Sequence, residues 1–255
     1  MADPAPETAG VIVVTGGGRG IGAAVCRLAA ERGFAVAVNY AHAVEAARAL
    51  AAGVKAQGGR AVAIEADVSI EGDVVRLFET AERELGPVTG LVNNAAITGL
   101  LGRLDDLPAE ILQRVIAVNI TGAVLCAREA VRRMSTRHGG GGGSIVSVSS
   151  RAAQLGSPGE WVHYAATKGA IETLTLGLAR EVAGEGIRVN AVSAGLIDTE
   201  LHAAAGVPDR VRQLAPTVPM GRAGQPEEVA EAILWLMSPA ASYVNGAILA
   251  VAGGR

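Results

Sequence analysis

Aromatic side chains make up only 3% of this 255-residue chain, although half of its residues are hydrophobic. A core must therefore be built from Ala, Val, Leu and Ile, as where helices cover a sheet on both faces. Cysteine is scarce as well. Cys26 and Cys126 are far apart and form no Cys-x-x-Cys pair, so neither a disulfide framework nor a zinc knuckle is expected. Neither sign of charge dominates: 22 Lys and Arg against 25 Asp and Glu leave a net charge of -3. That balance supplies no general field for nucleic acid or an anionic membrane. No run of about 18 uninterrupted apolar residues suggests a membrane span. The opening Met-Ala-Asp-Pro-Ala-Pro-Glu-Thr has no basic region followed by an apolar run. These absences lead us to expect a soluble cytoplasmic protein, without nucleic-acid or membrane partners, preceded by a disordered lead-in over residues 1–9.

What is present is an alternation. Short β-branched runs at Val11 to Thr15, Ala35 to Asn39, Ala61 to Glu65, Leu91 to Asn93, Ser144 to Ser149, Arg188 to Ser193 and Ala247 to Val251 read as strands. Alanine-rich helical patterns lie between them, at Gly20 to Arg32, Val44 to Gln57, Ile70 to Leu85, Pro108 to Arg137, Tyr164 to Ala183 and Pro226 to Met237. Alternating strands and helices imply right-handed βαβ crossovers and a parallel sheet. Only the glycine run after His138 has linker composition, and a surface turn before the next strand explains it. We therefore expect one α/β domain over 1–255, a Rossmann-like doubly wound parallel sheet of about seven strands with helices on both faces. The irregular stretch 199–218, punctuated by Gly206, Pro208 and Pro216, reads as a mobile substrate lid. The stretch from Pro108 to Arg137 carries more apolar surface than one sheet face needs, which predicts a second helix or subunit over it, as in a homodimer or homotetramer. Arg128, Arg132, Arg133 and Arg137 near its end read as a solvated helix terminus.

Two clusters carry chemistry. The first strand runs into Thr15-Gly-Gly-Gly-Arg-Gly-Ile-Gly22, and a helix follows at once. Small residues there permit a tight turn and close approach to a pyrophosphate, while the helix N-terminus offers free N–H groups and positive dipole. The strict G-x-G-x-x-G/A fingerprint fails at Ile21; the spacing is Gly16, Gly20, Gly22. The second strand ends Asn39-Tyr40-Ala41-His42 with no carboxylate before Glu45. An acid at that place would hold the ribose hydroxyl of NAD, so its absence, with Arg19 available to a phosphate, favours NADP(H) without excluding NAD(H).

The second cluster is Tyr164-Ala-Ala-Thr-Lys168, with Ser149-Ser150 ending an apolar strand upstream. Four residues make one helical turn, so phenol and ammonium share a face, and a nearby cation favours phenolate. A tyrosine that ordinarily titrates near pH ~10 would then exchange protons closer to neutrality. Ser150 is aligned to the reacting group, with Ser149 as fallback. No G-x-S-x-G elbow supports a serine hydrolase.

In combination these motifs resemble the short-chain dehydrogenase/reductase family over nearly the whole chain. The resemblance implies a hydride-transfer enzyme interconverting a ketone and a secondary alcohol, with Asn119, Ser150, Tyr164 and Lys168 as the catalytic set. It implies that Gly16, Arg19, Gly20, Ile21, Gly22 and Asn39 hold the cofactor. It adds Asp67 and Val68 at the adenine, Asn93, Asn94 and Ala95 along the cleft, and Ile197 and Thr199 near the nicotinamide amide, with Tyr164 and Lys168 reaching the nicotinamide ribose. Asn119 matches the asparagine that helps a water chain reach the lysine. Three departures stand out: Ala96 and Ala194 where the family usually has glycine and proline, and Ala250 where an aspartate is common. Of these, Ala194 is expected to loosen the loop carrying Ile197 and Thr199. Small ketones, sugars and acyl thioesters are all substrate candidates. An idle NADP(H)-binding sensor or interaction protein is the reading from another class, disfavoured by the complete proton-transfer set.

Overall fold

The computed structural model describes residues 9–255. Of the expected lead-in, only Ala9 falls within them, its amide donating to Gly33 O at 3.1 Å. Seven β-branched runs become strands: β1 (Val11–Val14), β2 (Ala35–Tyr40), β3 (Ala61–Glu65), β4 (Val88–Asn93), β5 (Gly143–Ser150), β6 (Ile187–Ala194) and β7 (Ile248–Val251). They pair in the order β3-β2-β1-β4-β5-β6-β7, every pair parallel. Strand order reverses between β1 and β4, where a crevice opens beyond the carboxyl ends of the strands.

Ten α-helical segments surround the sheet within the described residues: α1 (Gly20–Glu31), α2 (Val44–Ala56), α3 (Glu71–Leu85), α4 (Ala109–Ile116), α5 (Ala123–Met134), α6 (Ala152–Leu155), α7 (Val162–Glu181), α8 (Leu201–Ala204), α9 (Arg210–Leu214) and α10 (Pro226–Met237). Period-two alternation sorts β1 between two cores. Ile12 and Val14 join Val25 and Ala29 of α1, Val54 of α2 and Ile233 of α10 on one face. Val11 and Val13 join Leu77 and Phe78 of α3, Cys126 and Ala130 of α5 and Ala179 of α7 on the other. Leu77 and Phe78 are fully buried, each a gain of about 1.5–3 kcal/mol over exposure. The two cysteines are free and sit in opposite layers.

The single helix expected from Pro108 to Arg137 is instead α4, a π-helical turn over Ala117–Gly122, and α5, ending at Met134. An inserted residue per turn re-aims the side chains without interrupting the apolar periodicity. Gly122 ends the π turn where a Cβ would lie 2.7 Å from Val68 Cγ2. By length and mean hydropathy (1.4) the stretch Ala109–Met134 is apolar enough to cross a membrane, yet here α5 supplies part of the second core. The arginines near its end are a solvated terminus only in part: Arg132 and Arg137 are exposed, whereas Arg128 and Arg133 are drawn into ion pairs. Glu129, 3% exposed, receives Arg132 Nη1 at 2.8 Å and Arg133 Nη1 at 2.5 Å, while Arg133 Nε reaches Glu82 at 3.0 Å and Arg128 reaches Glu71 at 2.6 Å. Burial pushes the Glu129 carboxyl up, but Arg133 and Arg132 outweigh it and hold it below its usual range.

Ala194 is the last residue of β6, paired with Ser150, and its carbonyl accepts from Arg151 N at 2.9 Å. The requirement for a small residue falls on Gly195, whose added Cβ would stand 2.6 Å from Ala252 Cα. Beyond it, 199–218 is built from α8, α9 and a 3₁₀ turn (Ala215–Thr217), with Leu196, Val218 and Ala223 as a small separate core.

Candidate active site

A single cleft of about 780 Å³ runs along the carboxyl edge of the sheet, from the glycine turn to the 199–218 segment. At its first end, Gly16 and Gly20 adopt left-handed backbone conformations (φ 62° and 52°) that other residues rarely hold. Three side chains fix the turn. Thr15 Oγ1 accepts from the amides of Asn94 at 2.9 Å and Ala95 at 3.1 Å, tying β1 to the end of β4. Asn94 Nδ2 donates to Thr15 O at 2.9 Å and Gly16 O at 3.1 Å. Asn39 Oδ1 accepts from Gly16 N at 3.1 Å while its Nδ2 donates to Ala66 O at 3.0 Å. Asn39 therefore borders the cleft with its amide already engaged in holding the turn. Gly22 is not a lining residue: its added Cβ would lie 2.4 Å from Gly16 O, so it lets α1 pack beneath the turn. Arg19 precedes α1 in extended conformation with no side-chain cap, which leaves the first-turn N–H groups open to an anion.

Gly16, Arg19, Gly20, Ile21, Asp67, Val68, Ala95, Ile197 and Thr199 all line the cleft. Asn93 does not. Alternation turns its side chain inward, where Nδ2 donates to Ala123 O at 3.0 Å, and Asn94 faces the turn in its place. Asp67 accepts from Ser69 Oγ at 2.7 Å and from Arg114 Nη2 at 2.7 Å. Burial raises its carboxyl, but Ser69 and Arg114 prevail and lower it. Tyr40, Ala41, His42 and Ala43 border the cleft at the end of β2 and bring no carboxylate.

At the other end, Ser150, Tyr164 and Lys168 line the same cleft. Period-two alternation separates the two serines. Both line the cleft, but Ser149 Oγ donates to Glu172 Oε1 at 2.9 Å, whereas Ser150 Oγ accepts from Ala152 N at 3.1 Å and lies near enough to the Tyr164 hydroxyl to lower its pKa. Lys168 Nζ donates to Val148 O at 2.7 Å and lies 5.6 Å from the centroid of the Tyr164 ring. Burial governs both groups. It pushes the phenol up to about 12, with Ser150 acting in the opposite direction, and pushes the lysine down to about 8. The expected acidification of Tyr164 by Lys168 is thus not what this arrangement produces: desolvation of the phenol outweighs its surroundings.

Asn119 does not touch the cleft either. It is 2% exposed inside the π turn, accepting from Ile97 N at 2.9 Å and donating to Ile97 O at 2.9 Å and Thr167 Oγ1 at 3.0 Å. Thr167 Oγ1 donates in turn to Tyr164 O at 2.7 Å. Asn119 is therefore a positioning residue, holding the Ile97 loop against the turn of α7 between Tyr164 and Lys168. The sequence reading missed Thr167, as it did His163, whose Nε2 meets Thr98 O at 2.8 Å, and Glu172, four residues after Lys168 on the same helix face. Trp161 is buried and lines the cleft. Ser157 has φ 45°, the one non-glycine with positive φ among the described residues, in the lining loop between Ser150 and Tyr164.

A family model described as enoyl-(acyl carrier protein) reductase matches residues 16–255. An uncharacterized oxidoreductase, YgfF, of Escherichia coli (strain K12) is 50% identical over 96% of this chain and 99% of its own length. A cis-4-hydroxycyclohexanecarboxylate dehydrogenase of Sinomonas cyclohexanicum is 44% identical over 96% of this chain and 95% of its own. The crystal structure of a short chain dehydrogenase from Burkholderia cenocepacia J2315 in complex with NADP superimposes with a TM-score of 0.86 at 33% identity, covering 97% of this chain and 98% of that one. This chain belongs to the short-chain dehydrogenase/reductase family. It is an oxidoreductase on the family's Rossmann fold, and the cleft that joins a phosphate-sized turn to a buried phenol is where such chemistry fits. A phenol that holds its proton, a serine hydroxyl beside it and an ammonium one helical turn away can together deliver a proton to an oxygen.

Proposed function

We propose that the protein interconverts a ketone and a secondary alcohol with NADP(H), Tyr164 acting as general acid in reduction and general base in oxidation. The observation that carries this reading is the convergence of Ser150, Tyr164 and Lys168 on the cleft that begins at the glycine turn. The cradle suits a dinucleotide: a Cβ at Gly16 would come within 3.1 Å of Ala95 Cα, so only bare backbone leaves room there, and the uncapped N-terminus of α1 suits a pyrophosphate. Gly16, Gly20 and Ile21 would hold the phosphates, Asp67 and Val68 the adenine end, and Ile197 and Thr199 the nicotinamide end. When bound, the nicotinamide supplies hydride to the carbonyl carbon or accepts it from the alcohol. Tyr164 gives its proton to the oxygen as negative charge develops there, and Ser150 hydrogen-bonds the same oxygen and keeps it in line. Lys168 keeps positive charge beside the phenol. The preference for NADP(H) rests on Arg19 and the carboxylate-free end of β2, and the Burkholderia relative's bound NADP is in keeping with it. The Sinomonas relative is named for oxidation of a ring alcohol, which supports a secondary alcohol as the reduced partner.

Tyr164→Phe tests the assignment. It should leave folding and NADPH binding intact and lower turnover about a hundred- to ten-thousand-fold, read as loss of reduced-cofactor absorbance over ketones, sugars and acyl thioesters with each nicotinamide. Retained turnover would remove Tyr164 from the acid role. Tight NADPH binding with no turnover by the unaltered protein would favour a sensor. Self-association belongs to the same reading: Ile116, Val124 and Leu176 remain 40%, 42% and 43% exposed on α4, α5 and α7, and a monomer by light scattering would count against it.

A further inference from the structure

Where Trp161 meets the 199–218 segment in the cleft, three side chains each carry a shielded nitrogen without a hydrogen-bond partner among the described residues: Trp161 Nε1, His202 Nδ1 and Arg210 Nε. All three residues line the cleft. Trp161 precedes α7 on its floor and is 4% exposed. His202 lies on α8 and Arg210 on α9, both in the segment expected to be a lid. The Arg210 guanidinium stacks on the indole at 4.8 Å, and the indole and imidazole centroids are 6.2 Å apart. Arg210 gives its Nη1 and Nη2 to Glu160, at 2.7 and 2.6 Å, which leaves Nε over.

These groups cannot satisfy one another in full. An indole N–H and a guanidinium Nε–H only donate. His202 is kept neutral by burial first and by the Arg210 charge second, both lowering its pKa, and as the tautomer with its proton on Nδ1 it donates there as well. A buried donor left unpaired is costly, and orphans gathered in one part of a binding cleft imply a missing acceptor. The charge around them indicates which kind. Arg151, Arg210 and Arg255 line this part of the cleft. Of the acids there, Glu160 is bound to Arg210, Asp198 acts on His202, and Glu200 abuts the glycine turn, its Oε2 3.7 Å from where a Cβ on Gly20 would stand, while Arg151 Nε donates to Arg255 O at 2.8 Å.

We propose that the substrate carries a carboxylate, remote from its reacting carbon, which Trp161 Nε1, Arg210 Nε and His202 Nδ1 receive between the floor and the lid. A carboxylate accepts on both oxygens and donates nothing, and hydrogen bonds to it are charge-assisted and short. The cleft thereby selects oxo acids and hydroxy acids over neutral ketones and alcohols of the same skeleton. This inference rests on the oxidoreductase reading for the identity of the reacting group, but the carboxylate seat is a property of binding and is measured separately.

The test uses matched pairs: 4-oxocyclohexanecarboxylate with its methyl ester, and levulinate with methyl levulinate. Each is titrated calorimetrically into the protein with and without NADPH, and reduction is followed in parallel. At least one acid should bind more than about ten-fold tighter than its ester. Trp161→Phe keeps the ring and loses the N–H; Arg210→Lys keeps the charge against Glu160 and loses Nε. Each should weaken acid binding about ten-fold and collapse the acid-to-ester ratio, with a melting curve confirming that the variant is folded. Acids and esters binding alike, no acid binding at all, or folded variants with an unchanged ratio would overturn the carboxylate seat. Acid binding without any reduction would instead count against the catalytic reading while leaving the seat standing.

Discussion

The two ends of the cleft are built differently. The glycine turn is over-determined: Thr15, Asn39 and Asn94 bond it from three directions, and added carbons at Gly16 or Gly22 meet neighbouring atoms at 3.1 and 2.4 Å. The 199–218 segment is held by little. A carbon added to Gly206 meets nothing within 4 Å, its core is Leu196, Val218 and Ala223, and its main polar tie to the floor is Arg210 with Glu160. Tight packing suits a part that must present one geometry to a cofactor, and loose packing suits a part that must admit substrate and close.

The contrast breaks first at Gly22. Gly22→Ala drives a methyl into Gly16 O and should cost at least about 3 kcal/mol, since overpacking a tight site is destabilising, with NADPH binding lost as the turn shifts. Gly206→Ala, at φ 82°, should cost only about 1–2 kcal/mol through the left-handed backbone and leave NADPH binding as it was. Urea unfolding and NADPH titration of both variants decide the matter; equal losses of stability would mean that the turn is not the stiffer region.

The same contrast governs what could be read from the chain. All seven strands were legible to within a few residues, because β-branched runs have few other uses in so aromatic-poor a chain. The glycine turn was legible as well, since its residue types are dictated by backbone geometry. Side-chain direction was harder. Asn93 turns to Ala123 and Ser149 to Glu172, while Asn94 holds the glycine turn and Ser150 lies by Tyr164, a distinction that period two contains but only once the strand ends are known. The π turn over 117–122 was invisible, because the apolar pattern continues through it while Asn119 turns to Ile97 and Thr167. The effect of Lys168 on Tyr164 was misread for a related reason: helical spacing gives proximity, but not the burial that dominates both groups. Around 199–218, nothing in the spacing of Trp161, His202 and Arg210 announces that they meet.

Proton transfer offers a second, smaller test. Burial places Lys168 at about 8 and Tyr164 at about 12. Because the lysine value is depressed, its charge is complete well below pH 8 and lost as pH rises through that value, while the phenol keeps its proton. Reduction should therefore be flat at neutral pH and fall above about pH 8, up to ten-fold per unit if the ammonium is required. Lys168→Met should be slower throughout and lack that limb. A wild-type profile flat to pH 10 would show that the ammonium is dispensable.

The smallest effect belongs to the 199–218 segment. Glu160→Gln removes the charge that faces Arg210, a pair whose side chains are 35% and 15% exposed. Because such a pair is partly solvated, the loss in global stability should be no more than about 1 kcal/mol, and urea unfolding should barely register it. Local opening is another matter. Beside the ion pair, α9 is held by Val211 and Leu214 against the small core, and a change of that size raises the open population about five-fold. Limited proteolysis should then cut within 199–217 several times faster in the variant, with the sheet and glycine turn untouched. Unchanged cleavage would mean that Leu196, Val218 and Ala223 hold the segment without the ion pair, and the difference between the two ends of the cleft would be narrower than their packing implies.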